Sequence, residues 1–208
     1  MTLVKICGVT DPETAYFAAL SGAKFIGIIF AKNSKRAVDL DQAVAIVKGA
    51  KKGGAKVVGV FVEQNGEEMQ KIIDYVGLDA VQLHGPECRE THGELSEKVI
   101  RFYVCPVSLD GFVQEEKHHG FECLNKERDY LLYDGLVSEA GQTFKWDALE
   151  PSRDFNFVLA GGLNPENVSL VIKKKQPDVV DVTSGVENPK YKKDKTLIQA
   201  FIQEVSTR

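Results

Sequence analysis

The sequence is poor in the features that mark specialised proteins. No apolar run approaches the roughly 20 residues of a membrane-spanning helix, and the first residues lack the basic, apolar, small-residue order of a secretory signal. A cytoplasmic chain with no membrane partner is therefore expected. Charge of neither sign is blocked: 26 basic and 30 acidic residues are interspersed, for a net charge of −4. No broad positive field exists for nucleic acid, and any anionic ligand must be held locally. The four cysteines (Cys7, Cys88, Cys105, Cys123) form no CxxC pair and no Cys/His cluster. That argues against a disulfide framework or a zinc site and leaves reduced thiols. Low-complexity linkers and internal repeats are missing too. With 208 residues, the chain can bury one substantial core but not comfortably two α/β domains, so residues 1–208 read as a single domain.

What the sequence does contain is ordinary globular composition, 43% apolar and 27% charged, arranged with a clear rhythm. Short β-branched runs predict strands at Leu3–Cys7, Lys24–Phe30, Lys56–Val62, Ala80–Leu83, Val99–Val104, Tyr130–Asp134, Asn156–Ala160 and Val179–Val182. Helical spacing follows at Asp11–Leu20, Asp41–Ala50, Gly66–Tyr75, Pro86–Leu95, around Gly111–His118, and at Trp146–Glu150, Pro165–Lys174 and Lys195–Glu204. Strands such as Phe25–Phe30 and Val57–Val62 are almost wholly apolar instead of alternating. Parallel strands covered on both faces look like this. Eight strand–helix units suit a (β/α)8 TIM barrel better than an open doubly wound sheet of five or six strands.

Barrels of this type carry their chemistry at the C-terminal ends of the strands. The loops after strands seven and eight, Gly161-Gly162-Leu163-Asn164 and Thr183-Ser184-Gly185, are rich in glycine. Either their glycines only permit tight turns, or their exposed amides, aided by a following helix start, bind a phosphate without many lysines. Cys7 ends the first strand and should face the mouth. It is inert packing unless a cationic neighbour lowers a thiol pKa of about 8.5. Alternation places Lys5 on the same side as Cys7, leaving Val4 and Ile6 to meet the helices. Strand eight closes on strand one, so Asp181 is the expected partner of Lys5, either as a structural ion pair or as part of the field at Cys7. Asp134 ends the sixth strand. It is a turn residue, or a shielded carboxyl with a raised pKa that donates a proton. Arg36 follows strand two and is a solvated loop residue or a bidentate grip for a planar carboxylate.

These residues, in this order, resemble the phosphoribosylanthranilate isomerase family. Lys5-Ile6-Cys7-Gly8 is similar to its opening KICG, and Gly27 to Phe30 with Ser34 and Arg36 to its GxxF and SPR segments. Val58-Gly59-Val60-Phe61-Val62, Val81-Gln82-Leu83-His84-Gly85, Thr143-Phe144-Lys145-Trp146, Gly161-Gly162-Leu163-Asn164-Pro165-Glu166-Asn167 and Asp181 to Glu187 continue the pattern over nearly the whole chain. The resemblance implies a cofactor-free, metal-free TIM-barrel isomerase of tryptophan biosynthesis, a monomer or homodimer, acting on a small phosphorylated substrate. It implies Cys7 as general base and Asp134 as general acid, with Arg36 recognising the anthranilate carboxylate. His84, Gly141, Gly161, Gly162, Asp181, Thr183, Ser184 and Gly185 are the further substrate-binding candidates it implies.

Three departures stand out. Ser138-Glu139-Ala140-Gly141 replaces a glycine-rich segment, Lys35 replaces the proline beside Arg36, and Asn188 to Lys193 is unusually basic. Rival readings are indole-glycerol phosphate synthase, the histidine-pathway aminoaldose isomerase, or a non-catalytic barrel scaffold. The first needs a strand-borne lysine and glutamate set and the second a pair of aspartates, and Cys7 argues against both.

Overall fold

A computed structural model describes residues 1–114, 120–135 and 143–207. Eight strands, β1 (Leu3–Ile6), β2 (Phe25–Ile29), β3 (Lys56–Phe61), β4 (Ala80–Leu83), β5 (Ile100–Val107), β6 (Tyr130–Gly135), β7 (Asn156–Ala160) and β8 (Val179–Val182), pair in parallel and close into a barrel in sequence order. The closing seam pairs β1 with β8, with Lys5 opposite Asp181. The α-helices among the described residues are α1 (Pro12–Leu20), α2 (Leu40–Lys52), α3 (Gly66–Val76), α4 (Pro86–Thr91), α5 (Val168–Lys175) and α6 (Lys195–Ser206). None is long and apolar enough to cross a membrane.

Local chemistry starts these helices. Asp11, Asp39, Asn65 and Asp194 each accept a hydrogen bond from an amide in the first helical turn, and Asn65 with Glu68 completes a reciprocal capping box. The fourth crossover is shorter than the predicted Pro86–Leu95, with α4 running into a 3-10 turn at His92–Glu94.

Two predicted helices are corrected. Around Gly111, β5 instead runs through Pro106 to Val107 and folds back to bridge Val113 in antiparallel fashion. Gly111 takes φ +90°, which no α-helix accommodates; residues 115–119 lie outside the described ones. The Trp146–Glu150 segment forms only a 3-10 turn, Trp146–Ala148, stopping short of Pro151. A proline disfavours helical backbone at the residue before it.

Alternation along the strands sorts the core into two bodies. Val4 and Ile6 join the large apolar layer between sheet and helices, while Phe25, Val58, Phe102, Val104, Leu132 and Val158 fill the barrel interior. At the N-terminal floor, Phe102 stacks on Tyr130 with centroids 4.7 Å apart and meets Phe25 edge-on at 5.2 Å. Burying a phenylalanine contributes about 1.5–3 kcal/mol. Above this aromatic floor the interior turns polar.

Candidate active site

The polar layer begins with Lys5, which is fully buried. Its Nζ donates to Asp181 Oδ2 at 2.7 Å and to Gln82 Oε1 at 2.8 Å. A buried ammonium needs acceptors on this scale of closeness to offset its desolvation. Asp181 Oδ1 is buried and has no partner among the described residues. Because an ammonium only donates, it turns the Gln82 carbonyl toward itself and leaves Gln82 Nε2 facing His84 Nδ1 at 3.5 Å. That arrangement makes Nδ1 the acceptor and reserves the His84 Nε2–H for the cavity. Burial lowers the His84 pKa, and the charges of Lys5 and Arg89 push the same way, so the imidazole is neutral.

One residue beyond β1, Cys7 faces the same interior and is 4% exposed. Room for its sulfur comes from Gly27 on β2, where a β-carbon would lie 2.6 Å from Cys7 Sγ. Burial raises the Cys7 pKa; the positive charge of Lys5 opposes this without reversing it. At neutral pH the group is a thiol. Asp134, near the end of β6, is pushed up to about 7, first by burial and then by the negative charge of Asp181, with Lys5 a smaller opposing influence. At neutral pH this carboxyl is therefore close to half protonated. Asp181 and Asp134 thus differ in role: the carboxyl paired with Lys5 raises the pKa of its neighbour.

Cys7 and Asp134 open into one cavity of about 690 Å³. Arg36, His84, Gly161, Gly162, Asp181, Thr183 and Ser184 line the same space. Gly185 sits just behind it, where a β-carbon would collide with the Leu163 carbonyl oxygen, so a glycine there lets the loops after β7 and β8 pack together. Ser184 and Gly185 open the 3-10 turn Ser184–Val186, where amides lack acceptors within the turn and are available to an anion. Gly141 and the Ser138-Glu139-Ala140-Gly141 segment lie outside the described residues.

Arg36 is not a free loop side chain. Its Nε and Nη2 donate to the two carboxylate oxygens of Glu187, each at 2.7 Å. Lys193 Nζ bonds the same carboxylate at 2.6 Å and the Thr183 carbonyl at 2.8 Å. Those hydrogen bonds outweigh burial and hold the Glu187 pKa low, whereas burial pulls the Lys193 pKa down. Two cations around one carboxylate leave a single net positive charge beside the cavity. Sequence reasoning did not select Glu187, Lys193 or Gln82 as site residues. Signals were available for two of them: Gln82 shares the inward parity of His84, just past β4, and Glu187 ends a segment similar to the family pattern. The two other departures from the family pattern meet in space, since Lys35 Nζ lies 4.4 Å from the centroid of the Tyr191 ring.

A closed parallel barrel whose buried thiol and raised carboxyl open into one cavity at the C-terminal mouth defines the class: a (β/α)8-barrel enzyme. The family model described as N-(5'phosphoribosyl)anthranilate (PRA) isomerase matches residues 4–204. The chain is 41% identical to N-(5'-phosphoribosyl)anthranilate isomerase of Chlamydia felis (strain Fe/C-56) over 204 residues, 96% of this chain and 95% of that one. Among solved structures, phosphoribosyl anthranilate isomerase from Thermotoga maritima matches with TM-score 0.83 and 36% identity, covering 100% of both chains. A phosphoribosyl anthranilate isomerase in complex with reduced 1-(o-carboxyphenylamino)-1-deoxyribulose 5-phosphate matches with TM-score 0.80 and 35% identity, again over 100% of both. The chain belongs to the N-(5'-phosphoribosyl)anthranilate isomerase family, and it is an isomerase of tryptophan biosynthesis.

Proposed function

We propose that the cavity carries out the Amadori rearrangement of N-(5-phosphoribosyl)anthranilate to 1-(2-carboxyphenylamino)-1-deoxyribulose 5-phosphate, with Asp134 as general acid and Cys7 as general base. The observation that carries this reading is the shared cavity: a carboxyl pushed up to about 7 and a thiol project into one space beside a buried, fixed cation. Asp134 donates its proton to the furanose ring oxygen as the C1′–O bond breaks, and the anilino nitrogen lone pair forms a cationic Schiff base. That new positive charge adds to the field of Lys5 and favours thiolate at Cys7. Cys7 then removes the C2′ proton, giving an enolamine that tautomerises to the aminoketose.

Acid and base share protons across one cavity, and the productive arrangement is thiolate with carboxylic acid. The amides of the loops after β7 and β8 hold the phosphate. His84 donates from Nε2, and the unengaged edge of Arg36 takes the anthranilate carboxylate in a bidentate pair. A fluorescence assay that follows consumption of freshly prepared phosphoribosylanthranilate tests the proposal. Turnover that persists undiminished when Cys7 and Asp134 are replaced together would overturn it.

A further inference from the structure

The loop between β8 and α6 does more than close the barrel. Glu187 bridges Lys193 in antiparallel fashion. Between them the chain turns tightly, with Asn188 N donating to the Lys192 carbonyl at 2.8 Å and Asn188 Oδ1 accepting from the amides of Lys190 and Lys192. At the tip, Tyr191 takes φ +59°. This left-handed conformation is unfavourable for a residue with a β-carbon and free of penalty for glycine. A tyrosine nevertheless occupies it, and its ring is half exposed, so it contributes little to the core. What the ring does is reach the loop after β2. Lys35 Nζ sits 4.4 Å from the ring centroid and donates to the Tyr191 hydroxyl at 3.2 Å, and the Arg36 guanidinium carbon lies 5.8 Å from the same centroid.

We propose that Tyr191 is a positioning residue for Arg36 and thereby sets how tightly the carboxylate of the substrate's aryl group is held. Two supports converge on the guanidinium. Glu187 takes the Nε/Nη2 edge and fixes its plane, while the Tyr191 ring, clasped to Lys35, fixes the loop that carries it. The Nη1/Nη2 fork is thus the part of Arg36 left for a ligand carboxylate. Where a proline would stiffen the backbone beside Arg36 through its fixed φ, the lysine–tyrosine contact supplies the restraint between loops instead. The inference rests on the reading of Arg36 as the carboxylate-binding group.

The test compares Tyr191→Gly, Tyr191→Phe and Arg36→Ala in steady-state isomerase assays with phosphoribosylanthranilate, alongside thermal melts. Removing an exposed cation–ring contact should raise KM about two- to fivefold, with kcat held. Glycine takes the backbone angle freely, so the Tyr191→Gly protein should melt no lower than the parent. Tyr191→Phe keeps the ring and should restore KM. An unchanged KM in Tyr191→Gly, where Arg36→Ala raises KM strongly, overturns the role of Tyr191 and leaves that of Arg36 intact. An unchanged KM in Arg36→Ala overturns both. A fall in kcat and melting temperature without a change in KM also overturns the proposal, because it marks Tyr191 as purely structural.

Discussion

Lys5 and Asp181 face each other in register across the seam where β8 closes on β1, and their charged ends meet at 2.7 Å inside the barrel. The ion pair lies directly below Cys7 on the strand face that leads to the mouth. The same two side chains thus sit at the closing seam and contribute to the electrostatics of the cavity.

Removing one partner strands the other charge in the interior. Lys5→Met is expected to lower unfolding free energy by about 3–5 kcal/mol, measured by chemical denaturation. Pairing it with Asp181→Leu removes the orphaned carboxylate and should recover much of the loss. Both variants should be poor catalysts, because neither retains the fixed cation beside the thiol.

Cys7→Ala and Asp134→Asn should each reduce turnover by at least about 100-fold if they move protons. The pH profile is the sharper check. The parent's kcat/KM should rise as pH passes about 7, where the pair loses its first proton at Asp134. It should fall again above the ordinary thiol range, where Cys7 ionises. The residual activity of Asp134→Asn should lack the rising limb near neutrality; retention of that limb would assign it to another group.

The same carboxyl has a consequence for stability. Asp134 is raised in the folded state from 3.8 to about 7, so its favourable contribution is complete below about pH 4 and is lost as pH climbs toward 7. At pH 8 the folded parent holds a desolvated carboxylate, whereas a neutral amide at this position carries no charge to desolvate. Asp134→Asn should accordingly be more stable than the parent at pH 8, by up to about 4 kcal/mol, and lose this advantage near pH 4. Urea titrations at the two pH values measure it.

Gly27→Ala inserts a β-carbon 2.6 Å from Cys7 Sγ and 3.0 Å from Cys7 Cα. Overpacking of this kind costs about 1–3 kcal/mol. A sulfur displaced by as much as 1 Å can slow the reaction about 100-fold. The expected signature is a disproportionate fall in kcat beside a modest drop in melting temperature.

The thiols should separate by chemistry. Cys88, held by the Phe61 and Gly85 carbonyls, and Cys105 are pushed up by burial to about 11 and about 12. Both should resist iodoacetamide in the native protein at neutral pH, while exposed Cys123 is labelled first. Mass spectrometry of partially alkylated protein reads the order directly. Early labelling of Cys105 would contradict its placement.

Strands were legible because each is a short, mainly apolar run, and parity together with closure of strand eight on strand one paired Lys5 with Asp181 and turned Cys7 inward. The fifth and sixth crossovers were not. Apolar residues such as Phe112 and Val113 imitate helical spacing, but the backbone answers to Gly111 and to pairing with Val107. Site residues on strands were readable for the same reason as the strands themselves. Glu187 and Tyr191 were harder to see, because their roles come from two loops meeting at the barrel mouth, a contact between residues about 150 positions apart that no local spacing encodes.

The aromatic floor built from Phe25, Phe102 and Tyr130 makes the chamber a cul-de-sac. Reactant and aminoketose must pass through the same doorway, in opposite directions, and cannot queue through the barrel. Any loop that tightens its grip on the incoming sugar phosphate also delays the departure of the product, so affinity at the rim and speed of turnover are set against each other.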